Sequence, residues 1–155
     1  MEDINSELRD VTVVDSCPQD YLSLVAGLTS QQIPYHLLLT GEDALRRTGL
    51  ATSGLWLINM DLPDMRGTDL LGLVRQRTPT VPVFLVGDNY SSQEELAARA
   101  AGSTAYLCKP PNFAWLEEWA RTVRAGPRDQ SLSSHPLLDK ALATFSDLVR
   151  KAYEA

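Results

Sequence analysis

The chain is 155 residues long, with 44% hydrophobic residues, 22% charged residues and a net charge of −6. This ordinary globular composition excludes a disordered, collagenous or rod-like chain, and the length suffices for one domain with its own core. The acidic balance argues against nucleic-acid binding, no apolar run is long enough for a membrane span, and the acidic N-terminus is not a signal peptide. Two cysteines, Cys17 and Cys108, make no disulfide framework, so we expect a cytoplasmic protein.

Short apolar runs alternate along the chain with longer segments whose apolar residues recur at every third or fourth position, which is helical spacing. In chain order the predicted elements are a strand at 11–14, a helix at 21–28, a strand at 35–39, a helix at 41–47, a strand at 55–58, a helix at 68–76, a strand at 81–86, a helix from Ser91 or Ser92 up to Gly102, a strand at 105–107 and a helix at 113–124. Five strands alternating with five helices predict βαβ units and a parallel α/β sheet. The runs are apolar throughout, as expected of strands that helices cover on both faces.

Polar residues follow several of these predicted strands. In open α/β sheets a ligand site forms beyond the carboxyl ends of the strands. The residues at those ends are Asp15 and Ser16, residues 59–61 from Asn59 to Asp61, Gly87 and Asp88, and Cys108 and Lys109. We therefore expect any functional site to include side chains from this set.

The composition changes after residue 125. Residues 126–135 have the Gly, Pro and Ser content of a linker, and residues 136–155 carry a second helical pattern. Its apolar seam is spaced 4-3-4 and consists of Leu138, Leu142, Phe145 and Val149. This amphipathic C-terminal helix has three interpretations: it folds back on the domain, it pairs with a second copy, or it leads to an output domain.

Three blocks in order make residues 9–125 resemble the receiver domain of two-component response regulators. The blocks are Val13-Val-Asp15, the segment from Leu57 to Gly67 with its Pro-Asp-Met-Arg-Gly loop, and the segment from Ala101 to Pro110 with its Tyr-Leu-Cys-Lys-Pro end. The resemblance implies a (βα)5, doubly wound, flavodoxin-like fold with strand order 2-1-3-4-5, here with an extra C-terminal helix.

The resemblance also implies a set of chemical positions, and this chain departs from most of them. In working receivers an Asp accepts the phosphoryl group, an acidic pair helps to hold Mg²⁺, and a hydroxyl and a Lys bind the phosphoryl oxygens. Here the acceptor position is Asn59, the acidic pair is Asp15 and Ser16, and the hydroxyl position is Gly87, while Lys109 is retained. An amide cannot form an acyl phosphate, so the sequence predicts a pseudo-receiver that is not an enzyme.

The lost carboxylates change what the pocket is expected to hold. We expect Asp15 to be the one inward carboxylate and to pair with Lys109, with weak or no Mg²⁺ binding and no cofactor, because Mg²⁺ needs carboxylates and phosphate oxygens. Asp61, two residues after Asn59, is a candidate displaced acceptor, but we expect it to be a loop acid.

The expected function is phosphorylation-independent protein–protein interaction in signal transduction. The resemblance makes Tyr106 the family's aromatic switch position and the last helix part of the usual dimer and partner surface. Candidate interface residues are Tyr106, Trp115, Trp119, Glu95 and Arg99, and we expect protein partners and a homodimer. For Trp115 and Trp119 the alternative is that they pack on the sheet or under the C-terminal helix. The alternatives are a piece of a larger response regulator still switched by phosphorylation at an unusual acid, or a sensor that binds a small ligand in the emptied pocket.

Overall fold

A computed structural model of the chain describes residues 8–47 and 54–125, with side chains up to residue 122. The described elements are β1 Val11–Val14, a 3-10 helix Pro18–Tyr21, α1 Leu22–Ser30, β2 Tyr35–Leu38, α2 Gly41–Arg47, β3 Leu55–Asn59, α3 Gly67–Arg77, β4 Val83–Gly87, α4 Ser92–Ala100, β5 Ala105–Cys108 and α5 Phe113–Ala125. None of these described helices is long and apolar enough to cross a membrane. The predicted linker and C-terminal helix, with the seam Leu138, Leu142, Phe145 and Val149, lie outside the described residues.

The five strands form one sheet in the order β2-β1-β3-β4-β5, with every neighbouring pair parallel. This confirms the predicted doubly wound, flavodoxin-like α/β fold. The register places Val14 opposite Ile58 and Asn59 opposite Val86. The carboxyl ends of parallel strands lie at the same edge of a sheet. Asp15 after β1, Asn59 at the end of β3 and Asp88 after β4 therefore lie together at that edge.

Apolar side chains cover the sheet on both faces. On one face α1 and α5 pack on the strands through buried residues such as Leu24, Leu28 and Leu116. On the other face α2, α3 and α4 contribute residues such as Leu70 and Ala98. A fully buried Leu is worth about 1.5–3 kcal/mol, and burial on both faces explains why the strands read as continuous apolar runs.

Three predicted boundaries shift for local reasons. β3 includes Asn59, whose backbone is therefore fixed by pairing with β4. β4 begins at Val83 and not at residue 81, because Pro82 has no N–H to give to the sheet. The helix predicted from residue 21 is a 3-10 helix that ends at Tyr21, followed by α1.

Candidate functional site

Asp15 is the carboxylate around which the site is built. It follows β1 and its residue surface is only 3% exposed. The Cys17 N–H donates to Oδ1 at 2.9 Å, and the Tyr21 hydroxyl donates to Oδ2 at 2.8 Å. The amide of Asn59 and the ammonium of Lys109 also reach Oδ2, at 2.9 and 2.8 Å. A carboxylate with this many donors is held in one position.

Asn59 turns its nitrogen, and not its oxygen, toward the carboxylates. Its Nδ2 donates to Asp15 at 2.9 Å and to Asp88 at 3.1 Å, while its Oδ1 accepts the Asp61 N–H at 2.7 Å. The opposite orientation would place an amide oxygen against two carboxylates and an NH₂ group against an N–H donor. At the acceptor position the chain therefore has a buried donor that bridges two acids.

Lys109 lies at the centre of the cluster. Its Nζ is 2.8 Å from Asp15 Oδ2, 3.0 Å from Asp20 Oδ2 and 2.9 Å from Asp88 Oδ1, and its side chain is 11% exposed. Burial lowers the pKa of Lys109, but the hydrogen bonds to the three carboxylates outweigh burial and raise it above its ordinary value. The hydrogen bond from Lys109 lowers the pKa of Asp88, and the hydrogen bond from Asn59 adds a smaller effect in the same direction.

The expected ion pair of Asp15 and Lys109 is present, but the expectation that Asp15 is the one inward carboxylate is wrong. Asp20 and Asp88 also reach the ammonium. Asp88 directly follows β4. Because ligand sites form beyond the carboxyl ends of parallel strands, the sequence does indicate that Asp88 lies near the cluster. Asp20 lies inside the 3-10 helix, and no spacing in the sequence indicates that this turn directs a carboxylate back to β5.

The other predicted pocket residues do not join the cluster. Ser16 is exposed, and its hydroxyl lies 3.9 Å from the Cys17 thiol. Asp61 is exposed in the loop after β3, where it forms an isolated bridge with Arg66, as expected of a loop acid. The ammonium of Lys109 and the amide nitrogen of Asn59 contact Oδ2 of Asp15 and Oδ1 of Asp88, so in this arrangement a divalent cation would have to compete with them for these two oxygens.

Tyr106 occupies the space next to Gly87, the predicted hydroxyl position. Its residue surface is 6% exposed, and its hydroxyl donates to Glu94 Oε1 at 2.8 Å. Burial, and then the hydrogen bond to Glu94, raise the pKa of Tyr106 above its ordinary value. Glu94 is thus the hydrogen-bond partner of Tyr106, a contact that the sequence pattern does not indicate.

The remaining predicted interface residues are divided between core and surface. Trp119 is buried and packs edge-on against Phe84, with ring centroids 5.3 Å apart, which is the alternative in which this tryptophan packs on the sheet. Trp115 is partly buried against the same core. Glu95 and Arg99 form an i,i+4 pair on α4 at 3.5 Å.

An open cleft of roughly 500 Å³ lies beside the cluster. Its lining includes the charged groups Asp20, Asp88 and Lys109 and the exposed side chain of Leu22. The cleft gives solvent and partner molecules access to Asp20 and Asp88, while Asp15 stays behind them.

Comparison with known proteins identifies the family. The model of the response regulator receiver domain matches residues 11–121. The transcriptional regulatory protein KdpE of Mycobacterium tuberculosis strain H37Rv is 30% identical over 118 residues, which are 76% of this chain and 50% of KdpE. The chain thus spans about half the length of that relative.

Two solved structures show the same fold at low identity. A putative response regulator from Chloroflexus aurantiacus J-10-fl has a TM-score of 0.68 and 22% identity, with 76% of this chain and 98% of that chain covered. The co-crystal structure of the Saccharomyces cerevisiae histidine phosphotransfer signaling protein Ypd1 with the receiver domain of Ssk1 contains a chain with a TM-score of 0.66 and 18% identity, covering 78% of this chain and 93% of that one. With a family match across most of its length, five parallel strands in the receiver order and a charged cluster at their carboxyl edge, this chain belongs to the response regulator receiver domain family.

Proposed function

We propose that this chain is a pseudo-receiver, which takes part in signal transduction through protein–protein contacts and without phosphorylation at the family's acceptor position. The observation that carries the proposal is the ammonium of Lys109, which contacts three carboxylates at 2.8–3.0 Å, while Asn59 donates to two of them. The protein's own cation and amide donors satisfy the site, so neither a metal nor a phosphoryl group is needed to balance its charges.

The energetics of the cluster support this interpretation. Two unit charges about 4 Å apart gain about 4 kcal/mol at an effective dielectric constant near 20, and the Lys109–Asp15 pair is both closer and more buried than that. An ammonium has three donors, and three carboxylates already contact Lys109 Nζ, so a phosphoryl oxygen can bind there only by displacing one of them. Displacing the buried Asp15 would leave a buried charge without its main partner, which is strongly unfavourable, so an incoming oxygen would compete with the more exposed Asp20 and Asp88.

Asn59 supports the same conclusion from the chemical side. Phosphoryl transfer to a carboxyl group needs a carboxylate oxygen as nucleophile, and an amide offers none. The described geometry also uses both ends of this amide in hydrogen bonds. We accordingly propose that the chain is not an enzyme, that it acts in the cytoplasm, and that its partners are proteins, including a second copy of itself.

A displaced acceptor is the second candidate, and one observation favours it. Asp88 is 65% exposed, its pKa is lowered, and its Oδ1 lies 2.9 Å from Lys109 Nζ. An ionised, accessible carboxylate beside an ammonium has two of the features that phosphoryl acceptance requires. Asp88 is thus a better placed alternative acid than Asp61. Binding of an anionic small ligand at Lys109 has less support, since three carboxylates already surround that ammonium.

The test is an intact-mass measurement on the full chain after incubation with Mg²⁺ and acetyl phosphate. We expect no mass gain, while a receiver domain with an intact acceptor Asp, treated in parallel, gains one phosphoryl group. A stoichiometric adduct on this chain would overturn the proposal. Loss of that adduct in Asp88→Asn, but not in Asp61→Asn, would identify Asp88 as the displaced acceptor.

A further inference from the structure

β2 is an edge strand, and among the described residues no strand pairs with its outer side. Its inner side is fixed by β1: the carbonyl oxygen of Pro34 accepts the Val11 N–H at 3.0 Å, and that of Leu38 accepts the Asp15 N–H at 2.9 Å. Peptide groups alternate in direction along a strand, so the N–H and C=O groups of the odd-numbered residues point away from the sheet. These residues are Tyr35, Leu37 and Leu39.

The side chains of the same three residues form an apolar row along this edge. Alternate side chains share one face of a sheet; Tyr35 packs against the core there, while Leu37 and Leu39 are 38% and 47% exposed. Residues 33–41 contain no Asp, Glu, Lys or Arg. Edge strands of monomeric proteins usually carry charged side chains that prevent further pairing, so this uncharged edge indicates that another strand binds to it.

The edge is complementary to a second copy of itself. When two β2 strands run antiparallel about a twofold axis at Leu37, Leu37 of one copy faces Leu37 of the other, and Tyr35 faces Leu39. All of these are outward-facing residues, and facing residues of this kind exchange both of their N–H···O bonds. Aromatic and aliphatic side chains that lie opposite each other stabilise such a pair, and no like charges meet.

The charges of α2 favour the same antiparallel arrangement. This helix begins shortly after β2 and packs against it. Its first turn is acidic, with Glu42 and Asp43, and its last turn is basic, with Arg46 and Arg47. Antiparallel pairing of the strands places the acidic start of each α2 near the basic end of the other. The side chains of Glu42 and Arg46 are 68% and 72% exposed, so they can set the orientation of the two copies.

We propose that a second copy of this chain binds at the outer edge of β2, through antiparallel pairing centred on Leu37 that joins the two sheets into one. The inference deepens the proposed function and rests on it, because it names the surface through which two copies associate without phosphorylation. β5 lies at the opposite edge of the sheet. Pairing at β2 therefore leaves the surface formed by α4, β5 and α5 accessible to a different protein partner.

The test is a dilution series of the full chain followed by light scattering. We expect a dimer that dissociates on dilution, and we expect Leu37→Lys to raise its dissociation constant by about tenfold or more, because two like charges then face each other at the axis. Leu73→Lys is the matched control, since Leu73 is also 38% exposed but lies on α3. A monomeric wild-type chain, or equal effects of the two substitutions, would overturn the inference.

Hydrogen exchange of the full chain measures the strand pairing directly. The outward-facing amide of Leu37 should exchange slowly at high protein concentration and faster on dilution, whereas the inward-facing amide of His36 should stay protected at both concentrations. A dimer in which exchange at Leu37 does not depend on concentration would assign association to another surface and overturn the inference. The intact-mass experiment measures phosphorylation and not association. A monomer that gains no phosphoryl group therefore removes this inference alone, and an adduct on a chain that dimerises through β2 removes only the absence of phosphorylation.

Discussion

Lys109 is the residue on which the charge balance of the site depends. We predict that Lys109→Met lowers the free energy of unfolding by about 3 kcal/mol, because removal of one partner leaves the buried charge of Asp15 uncompensated. Arg121→Met is the control: that arginine pairs with Glu117 and Glu118 on an exposed helix face, where such pairs contribute about 1 kcal/mol or less. Urea unfolding at pH 7 measures both. Similar losses in the two variants would contradict the assigned role of Lys109.

Asp88 makes the stability of the cluster depend on pH. Its folded-state pKa is lowered by Lys109 and Asn59, so its contribution is present above its unfolded pKa of about 4 and is lost as the pH falls through the lowered folded value. We predict that Asp88→Asn is less stable than wild type at pH 7 by less than about 1 kcal/mol, since water screens this exposed group. The difference in the free energy of unfolding between wild type and Asp88→Asn should become smaller below about pH 4. Urea unfolding between pH 3 and pH 7 measures this difference, and an increase in acid would contradict the prediction.

At the residue scale the sequence located the site better than it described the site's chemistry. Strand-end placement and the receiver motifs selected Asp15, Asn59 and Lys109, all of which the structure brings together. The contacts of Asp20 with Lys109 and of Glu94 with Tyr106 were not predicted, because each carboxylate reaches its partner from a turn or helix whose direction depends on tertiary packing. The placement of Trp119 stayed open, because the apolar spacing of α5 does not say which residues of its face meet Phe84.

The loop after β3 is fixed to α2 as well as to α3. Both carboxylate oxygens of Asp64 accept backbone N–H groups at the start of α2, from Gly41 and Glu42, each at 2.9 Å. These bonds lower the pKa of Asp64, the one from Gly41 most. The carboxylate therefore serves as an N-cap supplied from a distant loop, which satisfies donors that a short helix leaves without partners.

Asp64→Ala should lower the free energy of unfolding by about 1 kcal/mol, the usual cost of losing an N-cap. Asp61→Ala, on the same loop, removes an exposed carboxylate and should stay within about 0.5 kcal/mol of wild type. Thermal unfolding measures both, and hydrogen exchange of the Gly41 and Glu42 amides locates the effect. Unchanged exchange at those two amides in Asp64→Ala would show that Asp64 does not cap α2.

Element types and order followed from the sequence because the apolar periodicity and the packing agree in the described residues 8–47 and 54–122. The sequence did not show why position 67 is a glycine. The sequence indicates only that Gly67 belongs to a loop, but the structure shows that a Cβ there would lie 2.1 Å from the carbonyl oxygen of Asn59. This close approach lets α3 begin directly against the end of β3. Backbone contacts between elements leave no periodic signal, so only the assembled fold reveals them.

At the scale of the molecule, the two apolar clusters that cover the sheet extend, among the described residues, from Leu8 to Ala120. We predict that the receiver-like domain ends near residue 125, and that a chain ending at Ala125 still unfolds in a single cooperative step. The site and the Tyr106 position also lie within this part. Any association through α4, β5 or α5 should therefore survive truncation, whereas association through the seam of residues 136–155 should not.

The final prediction concerns how association responds to a phosphodonor. Under the proposed function the ammonium of Lys109 already balances the charges of the site, so a phosphodonor should not change association. Light scattering on the full chain should give the same molar mass with and without Mg²⁺ and acetyl phosphate. The chain ending at Ala125 is the matched comparison: a dimer only in the full chain assigns association to the C-terminal seam, and a dimer in both assigns it to the receiver surface. A rise in the molar mass of the assembly on addition of acetyl phosphate, in either chain, would contradict the proposed function without phosphorylation.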